Sequence, residues 1–246
     1  MVTAMLFAGG IGARMQSSSL PKQFLEVGGK PIIVHTMEHF SAHSMVDGIV
    51  IACKEDWIDY LVELIEKFHI KKIRAVVPGG ETGFASIHNG VVAVASFSKE
   101  PDDLILICDG VRPMLSERLI TDCILTTRKY GTAVPVTPSI DSLLYSTDGE
   151  TCGKSYDRNQ MYVTQAPQGY TMERILWAHS EAEKRGITNP ISSSELFIEL
   201  GERVRLFKGE RFNIKVTTPE DLVTLRAQFY YENYKKFARE ELKYGL

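Results

Sequence analysis

Glycines set beside cations are the first feature with chemical content. Ala8-Gly9-Gly10-Ile11-Gly12 leads to Arg14, and Lys22 stands behind Pro21. Glycines let backbone N–H groups turn toward one point, which suits a phosphate and also suits a purely structural turn. Two adjacent cations favour the anion. The loop lacks the GKS/T of a P-loop and the third glycine of a dinucleotide fingerprint. Asp109 follows the apolar run Leu104 to Cys108, with Arg112 three residues on. There Asp109 is either a turn cap or a ligand for Mg²⁺, which takes one or two carboxylates and completes its shell with phosphate oxygens and water. Arg112 is either an anion contact or a structural ion-pair partner. His35, His39 and His43, spaced by four, share a face of an expected helix. Three imidazoles can bind a transition metal, but no acid or thiol nearby completes a set, so surface or capping roles are favoured.

The elements that must position these groups alternate in type. Short apolar runs at Val2 to Ala8, Gly48 to Cys53, Ile73 to Pro78, Leu104 to Cys108 and Thr132 to Val136 are expected strands. Stretches of helical period near 31–40, 56–68, 85–97 and 116–129 lie between them. Strands apolar on both faces and separated by helices predict an α/β fold, a Rossmann-like doubly wound, mainly parallel sheet. Ligands of such sheets bind beyond the carboxyl ends of the strands. Three unusual segments fall there: the glycine loop after Ala8, Pro78-Gly79-Gly80, and Asp109-Gly110-Val111-Arg112-Pro113.

After Pro138 the pattern loosens. Residues 139–165, with an Asp148-Gly149 turn and a second run at Met161 to Val163, predict an extended β-arm. Helices are expected near 171–185 and 194–200, and strands near 203–207 and 213–216. Thr218-Pro219-Glu220-Asp221 is a strong helix start, opening a helix to about residue 242 whose tail carries Tyr230, Tyr231, Tyr234 and Phe237. The whole chain, 1–246, is expected to form one domain with this arm and tail helix.

Composition narrows the classes. The 28 basic and 31 acidic residues give a net charge of −3, which argues against a nucleic-acid binder with a general basic surface. No segment approaches the roughly 18 apolar residues of a membrane span, and no leader-like stretch opens the chain. The four cysteines are widely spaced without a CxxC pair, so buried, reduced thiols in a cytoplasmic protein are expected.

Taken in order, Ala8-Gly9-Gly10-x-Gly12-x-Arg14-Met15, Pro21-Lys22-Gln23, Asp109-x-x-Arg112-Pro113, Arg158-Asn159, Gln165-x-Pro167-Gln168 and Asn213-Ile214-Lys215-Val216-Thr217 resemble the sugar-phosphate cytidylyltransferases over most of residues 1–225. That family includes the 2-C-methyl-D-erythritol 4-phosphate and ribitol 5-phosphate enzymes. Leu20 to Glu26, Gly29 to Thr36, Val111-Arg112-Pro113 and Phe212 are closer to the ribitol branch. The resemblance implies transfer of CMP from CTP to a polyol phosphate, with Mg²⁺ and release of pyrophosphate. It implies catalytic roles for Arg14, Lys22 and Lys215, and nucleotide contacts from Ala8, Gly9, Gly10, Gly12, Gly80, Ser86 and Asp109, with Asp109 also the metal ligand. Arg112, Ser142, Arg158 and Thr217 are the implied acceptor contacts, and a homodimer exchanging its arms is the implied assembly.

Four places depart from the family. They are Glu81-Thr82-Gly83-Phe84 where an Arg is usual, Ala166 for Thr, Ser192-Ser193 for Thr-Asp, and Phe212 for a metal-binding Asp. These touch the nucleotide rim, the acceptor pocket and subunit contacts more than the phosphate-binding cations. The competing readings are the methylerythritol enzyme of isoprenoid synthesis, an inactive nucleotide-sensing homologue and, more remotely, a dinucleotide-dependent oxidoreductase.

Overall fold

A computed structural model describes residues 1–9 and 20–244, with side chains as far as residue 232. Gly10, Gly12, Arg14 and the tail side chains Tyr234 and Phe237 lie outside the described set. The elements in chain order are β1 (Val2–Ala8), β2 (Glu26–Val27), β3 (Lys30–Pro31), α1 (Ile32–Ala42), β4 (Gly48–Cys53), α2 (Ile58–Lys67), β5 (Ile73–Pro78), α3 (Gly83–Ala95), β6 (Leu104–Asp109) and α4 (Glu117–Tyr130). There follow β7 (Thr132–Pro138), β8 (Leu143–Tyr145), β9 (Lys154–Tyr156), β10 (Tyr162–Thr164), β11 (Gln168–Thr171), α5 (Met172–Arg185), α6 (Ser193–Glu199), β12 (Leu206–Lys208) and α7 (Pro219–Tyr244).

Eight strands make the central sheet, in the order β10-β7-β11-β6-β1-β4-β5 with β12 added to β7. The pairs β6/β1, β1/β4, β4/β5 and β12/β7 are parallel, while β11 runs antiparallel to β6 and β7, and β10 to β7. Alternate residues of β1 feed different cores. Leu6 joins Ile33, Phe40, Leu61 and Leu119 on the face covered by α1, α2 and α4, whereas Met5 joins Val91, Ile175 and Phe197 under α3, α5 and α6. The double-sided cover explains the uninterrupted apolar runs in the central strands.

Register brings the expected segments together. Phe7 pairs with Asp109, Ala8 with Cys53, and Cys53 with Pro78, so the three strand ends lie side by side along one edge. The arm forms the β8–β9 hairpin before the chain returns as β10 beside β7. The Asp148 carboxylate accepts from the N–H groups of Glu150 and Thr151, closing the expected turn. Asp221 Oδ2 accepts from the N–H groups of Thr217 and Thr218, both at 2.8 Å, which fastens the start of α7.

Three expectations need correction. Residues 213–216 are not a strand: Ile214 and Val216 alternate because they pack with Ile32, Val111 and Leu225 beside α7. The strand expected at 203–207 begins later, at Leu206, where pairing with Val134 starts. The thiols are not all buried either, since Cys152 is exposed on the arm while Cys53, Cys108 and Cys123 are buried.

Candidate active site

Asp109 is the last residue of a strand whose every position is buried. Its carboxylate receives two cations: Arg112 Nε donates to Oδ2 at 2.8 Å, and Lys215 Nζ donates to Oδ1 at 2.6 Å. Burial pushes this carboxyl upward, but Arg112 and Lys215 outweigh it and hold the pKa at about 2. Asp109 is therefore a fixed anion. Arg112 is itself buried and donates through Nη1 to the Asn213 carbonyl at 3.0 Å. The structure thus gives Arg112 the ion-pair role, holding Asp109 and the 213–217 segment in place. That segment is also tied by Val216 N–H to Val111 O at 3.0 Å and by Asn213 Nδ2 to Ala166 O.

Lys22 opens a 3₁₀ turn, Lys22–Phe24, anchored on both sides. Gln23 is buried and donates to the Ala8 carbonyl at 2.7 Å, while Phe24 packs against Trp57 and Tyr60 at ring distances of 5.2 and 5.1 Å. Burying such a phenyl ring contributes about 1.5–3 kcal/mol, so the base of Lys22 is held firmly to the end of β1. Ser86, in the first turn of α3, accepts from the Gly80 N–H at 3.0 Å and donates to Thr82 O at 2.9 Å. Gly9 is required there, because a Cβ would lie 2.6 Å from Ser86 Oγ.

Three cavities meet at Lys215. One, of about 240 Å³, is lined by Ala8, Gly9, Lys22, Ser86, Asp109 and Lys215 among others. A second, of about 310 Å³, adds Arg112, Gln165, Ala166, Gln168 and Ser193. The third, of about 520 Å³, lies toward the arm and is lined by Thr137, Ser139, Asp141, Arg211, Arg112 and Lys215, with other residues completing it. The structure therefore joins Ala8, Gly9, Lys22, Ser86, Asp109, Arg112 and Lys215 in one cleft. Gly80 supports Ser86 from behind. Ser142 and Arg158 are exposed on the arm, Arg158 donating to Ile140 O at 3.3 Å, and Thr217 turns its hydroxyl to Lys215 O. These last three line none of the three cavities.

Several contributors to the cleft carry no chemical signal of their own in the sequence. Gln23 and Asn213 stood only inside motifs, although both are buried polar side chains that tie cleft segments together. Gln165 bridges to Glu210, its Nε2 donating to the carbonyl at 2.8 Å and its Oε1 accepting the N–H at 3.0 Å. Arg211 had no distinguishing sequence signal. The two histidines of α1 and His43, which caps its C-terminus, turn their ring nitrogens to carbonyls of other segments: His35 to Val27 at 2.8 Å, His39 to Pro113 at 2.9 Å and His43 to Glu117 at 3.3 Å.

Known proteins resemble this chain in sequence and in fold. The sequence profile of the 2-C-methyl-D-erythritol 4-phosphate cytidylyltransferase (IspD) family matches residues 2–233. A ribitol-5-phosphate cytidylyltransferase of Streptococcus agalactiae serotype III is 38% identical over 229 residues, covering 93% of this chain and 95% of the relative. The enzyme of the same name from Vibrio parahaemolyticus is 38% identical over 227 residues, 92% of this chain and 95% of its own. Among solved structures, the 4-diphosphocytidyl-2C-methyl-D-erythritol synthase of Anaerococcus prevotii superposes with a TM-score of 0.78 at 27% identity, covering 93% of this chain and 96% of that one.

Proposed function

The chain belongs to the 2-C-methyl-D-erythritol 4-phosphate cytidylyltransferase family, and on that premise we propose that it transfers CMP from CTP to D-ribitol 5-phosphate, giving CDP-ribitol and pyrophosphate. The observation that carries the acceptor is the 35–38% identity, over nearly the full chain, to enzymes named for ribitol 5-phosphate. The family name itself favours methylerythritol 4-phosphate as the second acceptor.

The cleft suits an in-line displacement. The acceptor phosphate, carrying about −1.5 to −2 near neutral pH, needs no strong base. One of its oxygens bonds to the α-phosphorus of CTP while the bond to the β-phosphate oxygen breaks and pyrophosphate leaves. Such a reaction depends on positioning and on cations placed where charge develops. We assign Lys22, Arg14 and Lys215 to that charge, and the Gly9 to Gly12 backbone with Ala8, Gly80 and Ser86 to the nucleotide. Arg211, which lines the third cavity and has no ion pair or hydrogen bond among the described residues, is assigned as an acceptor contact. Arg158, Ser142 and Thr217, which lie outside that cavity's lining, keep the acceptor role that the family resemblance implies.

A divalent ion, here assigned as Mg²⁺, fits Asp109 on its donor chemistry. The carboxylate stays ionised despite burial, and among the described residues no three His, Cys, Asp or Glu are grouped so that they could hold a metal ion by themselves. One carboxylate with phosphate oxygens and water is a donor set that Mg²⁺ accepts. When bound it neutralises charge on the triphosphate.

We also assign a cytoplasmic homodimer, each subunit one nucleotidyltransferase domain. Among the described residues no helix is long and apolar enough to cross a membrane. Leu144, Tyr145 and Val163, at 68%, 51% and 55% exposure, give the arm an apolar surface that a second copy would cover. Light scattering showing a fully active monomer would remove the dimer.

The central test is pyrophosphate release from CTP and Mg²⁺ with a panel of polyol phosphates. Ribitol 5-phosphate should give the highest kcat/KM. A preference for methylerythritol 4-phosphate would replace the acceptor, and no turnover together with no Mg-CTP binding would reject the enzyme.

A further inference from the structure

The two cations on Asp109 differ in how firmly they are held. Arg112 is buried and fixed at both ends of its guanidinium, on Asp109 Oδ2 and on the Asn213 carbonyl. Lys215 has a side chain 44% exposed, lines all three cavities, and meets only Asp109 Oδ1 at 2.6 Å and the Phe7 ring at 6.0 Å in its described contacts. Its backbone is anchored through Val216 to Val111. The four-carbon stem can therefore swing while its root stays in place.

We propose that Lys215 is the resident counter-ion of Asp109, and that the divalent ion gains this carboxylate only when an incoming triphosphate draws the ammonium away. The inference rests on the metal and nucleotide assignment above. An isolated ionised carboxylate at 5% exposure would be an uncompensated buried charge, which Lys215 and Arg112 relieve. A Mg²⁺ ion ligated by Oδ1 would sit roughly 2.0–2.1 Å from that oxygen. The ammonium is only 2.6 Å from the same atom, so two like charges would compete at close range on a buried group. Triphosphate oxygens resolve the competition because they take the ammonium and supply the remaining metal ligands. Metal and nucleotide then load together, and the free metal binds weakly.

Mn²⁺ titration followed by electron paramagnetic resonance tests this on the full chain. Wild type, Lys215→Met and the double variant Lys215→Met/Asp109→Asn would be compared with and without a non-hydrolysable CTP analogue. Without nucleotide, Lys215→Met should bind Mn²⁺ tighter than wild type by on the order of tenfold or more. The double variant should lose that gain, and wild type should reach tight binding once the analogue is added. Circular dichroism checks the folding of each variant, with Lys215→Gln as the replacement should the Met variant misfold. Equal Mn²⁺ affinity of wild type and Lys215→Met, with normal nucleotide-dependent binding, overturns the counter-ion role alone. A gain that survives in the double variant overturns it as well. No nucleotide-dependent Mn²⁺ binding by wild type overturns the assignment beneath it and the inference together.

Discussion

The floor of the cleft and the arm are built on opposite terms. At the floor Asp109, Arg112 and Asn213 are all buried, and each is tied to another segment of the cleft. On the arm every residue from 140 to 160 is exposed, and its hairpin is held mainly by its own turn and short ladder. Under the proposed function, chemistry and folding are fused in the first region and separable in the second. Damage to the floor should therefore cost stability and rate together, whereas damage to the arm should alter acceptor use alone.

The largest expected effect breaks the floor. Asp109→Ala strands the buried Arg112 guanidinium, and loss of one member of such a pair costs about 3–5 kcal/mol, to be read from denaturant unfolding. An unchanged midpoint would mean that floor and fold are not coupled. Next, Lys22→Ala should lower kcat by roughly 10²–10³-fold in the pyrophosphate assay, by analogy with loss of one transition-state donor. The turn's anchors through Gln23 and Phe24 are left intact by that change.

A third prediction concerns pH and lies away from both regions. Burial, with His88 beside it at 3.3 Å, pushes His179 down to about 4. The unfolded chain then binds the extra proton first, so stability is full above about 6.5 and falls as pH drops toward 4. His179→Leu should flatten that part of the stability curve. The Asp109 contribution follows a lower window, present above about 3.9 and lost as pH falls through about 2. The smallest stability effect belongs to the arm: Arg158→Ala should change it by no more than about 0.5 kcal/mol while raising the acceptor KM and leaving that for CTP alone. A drop in the unfolding midpoint of that variant would erase the contrast between the regions.

Much of the fold was legible because apolar runs and helical periods are local properties. The five expected core strands and the helices from α1 to α7 appear within a few residues of their expected places. β11 was missed because four residues, Gln168–Thr171, are too few to display a period, and its place is set by pairing with β6 and β7. Ile214 and Val216 misled for the converse reason, since their alternation serves packing against α7. In the cleft, Gly9 and Lys22 were legible by residue type, while Gly10, Gly12 and Arg14 lie outside the described residues. The meeting of Lys215 with Asp109, and the turning of Arg112 toward Asn213, arise from contacts between residues about a hundred positions apart, which spacing does not encode.

The histidines of α1 carry one further consequence. His35 fastens to the Val27 end of the segment that follows Lys22, and His39, one turn on, fastens to Pro113 beside Arg112. The two jaws of the cleft are thus pegged to successive turns of one rigid rod, whose pitch is about 5.4 Å. Helical geometry works there as a gauge block, setting the gap between the jaws before any substrate arrives. A ligand entering that gap is measured against it and does not have to create it.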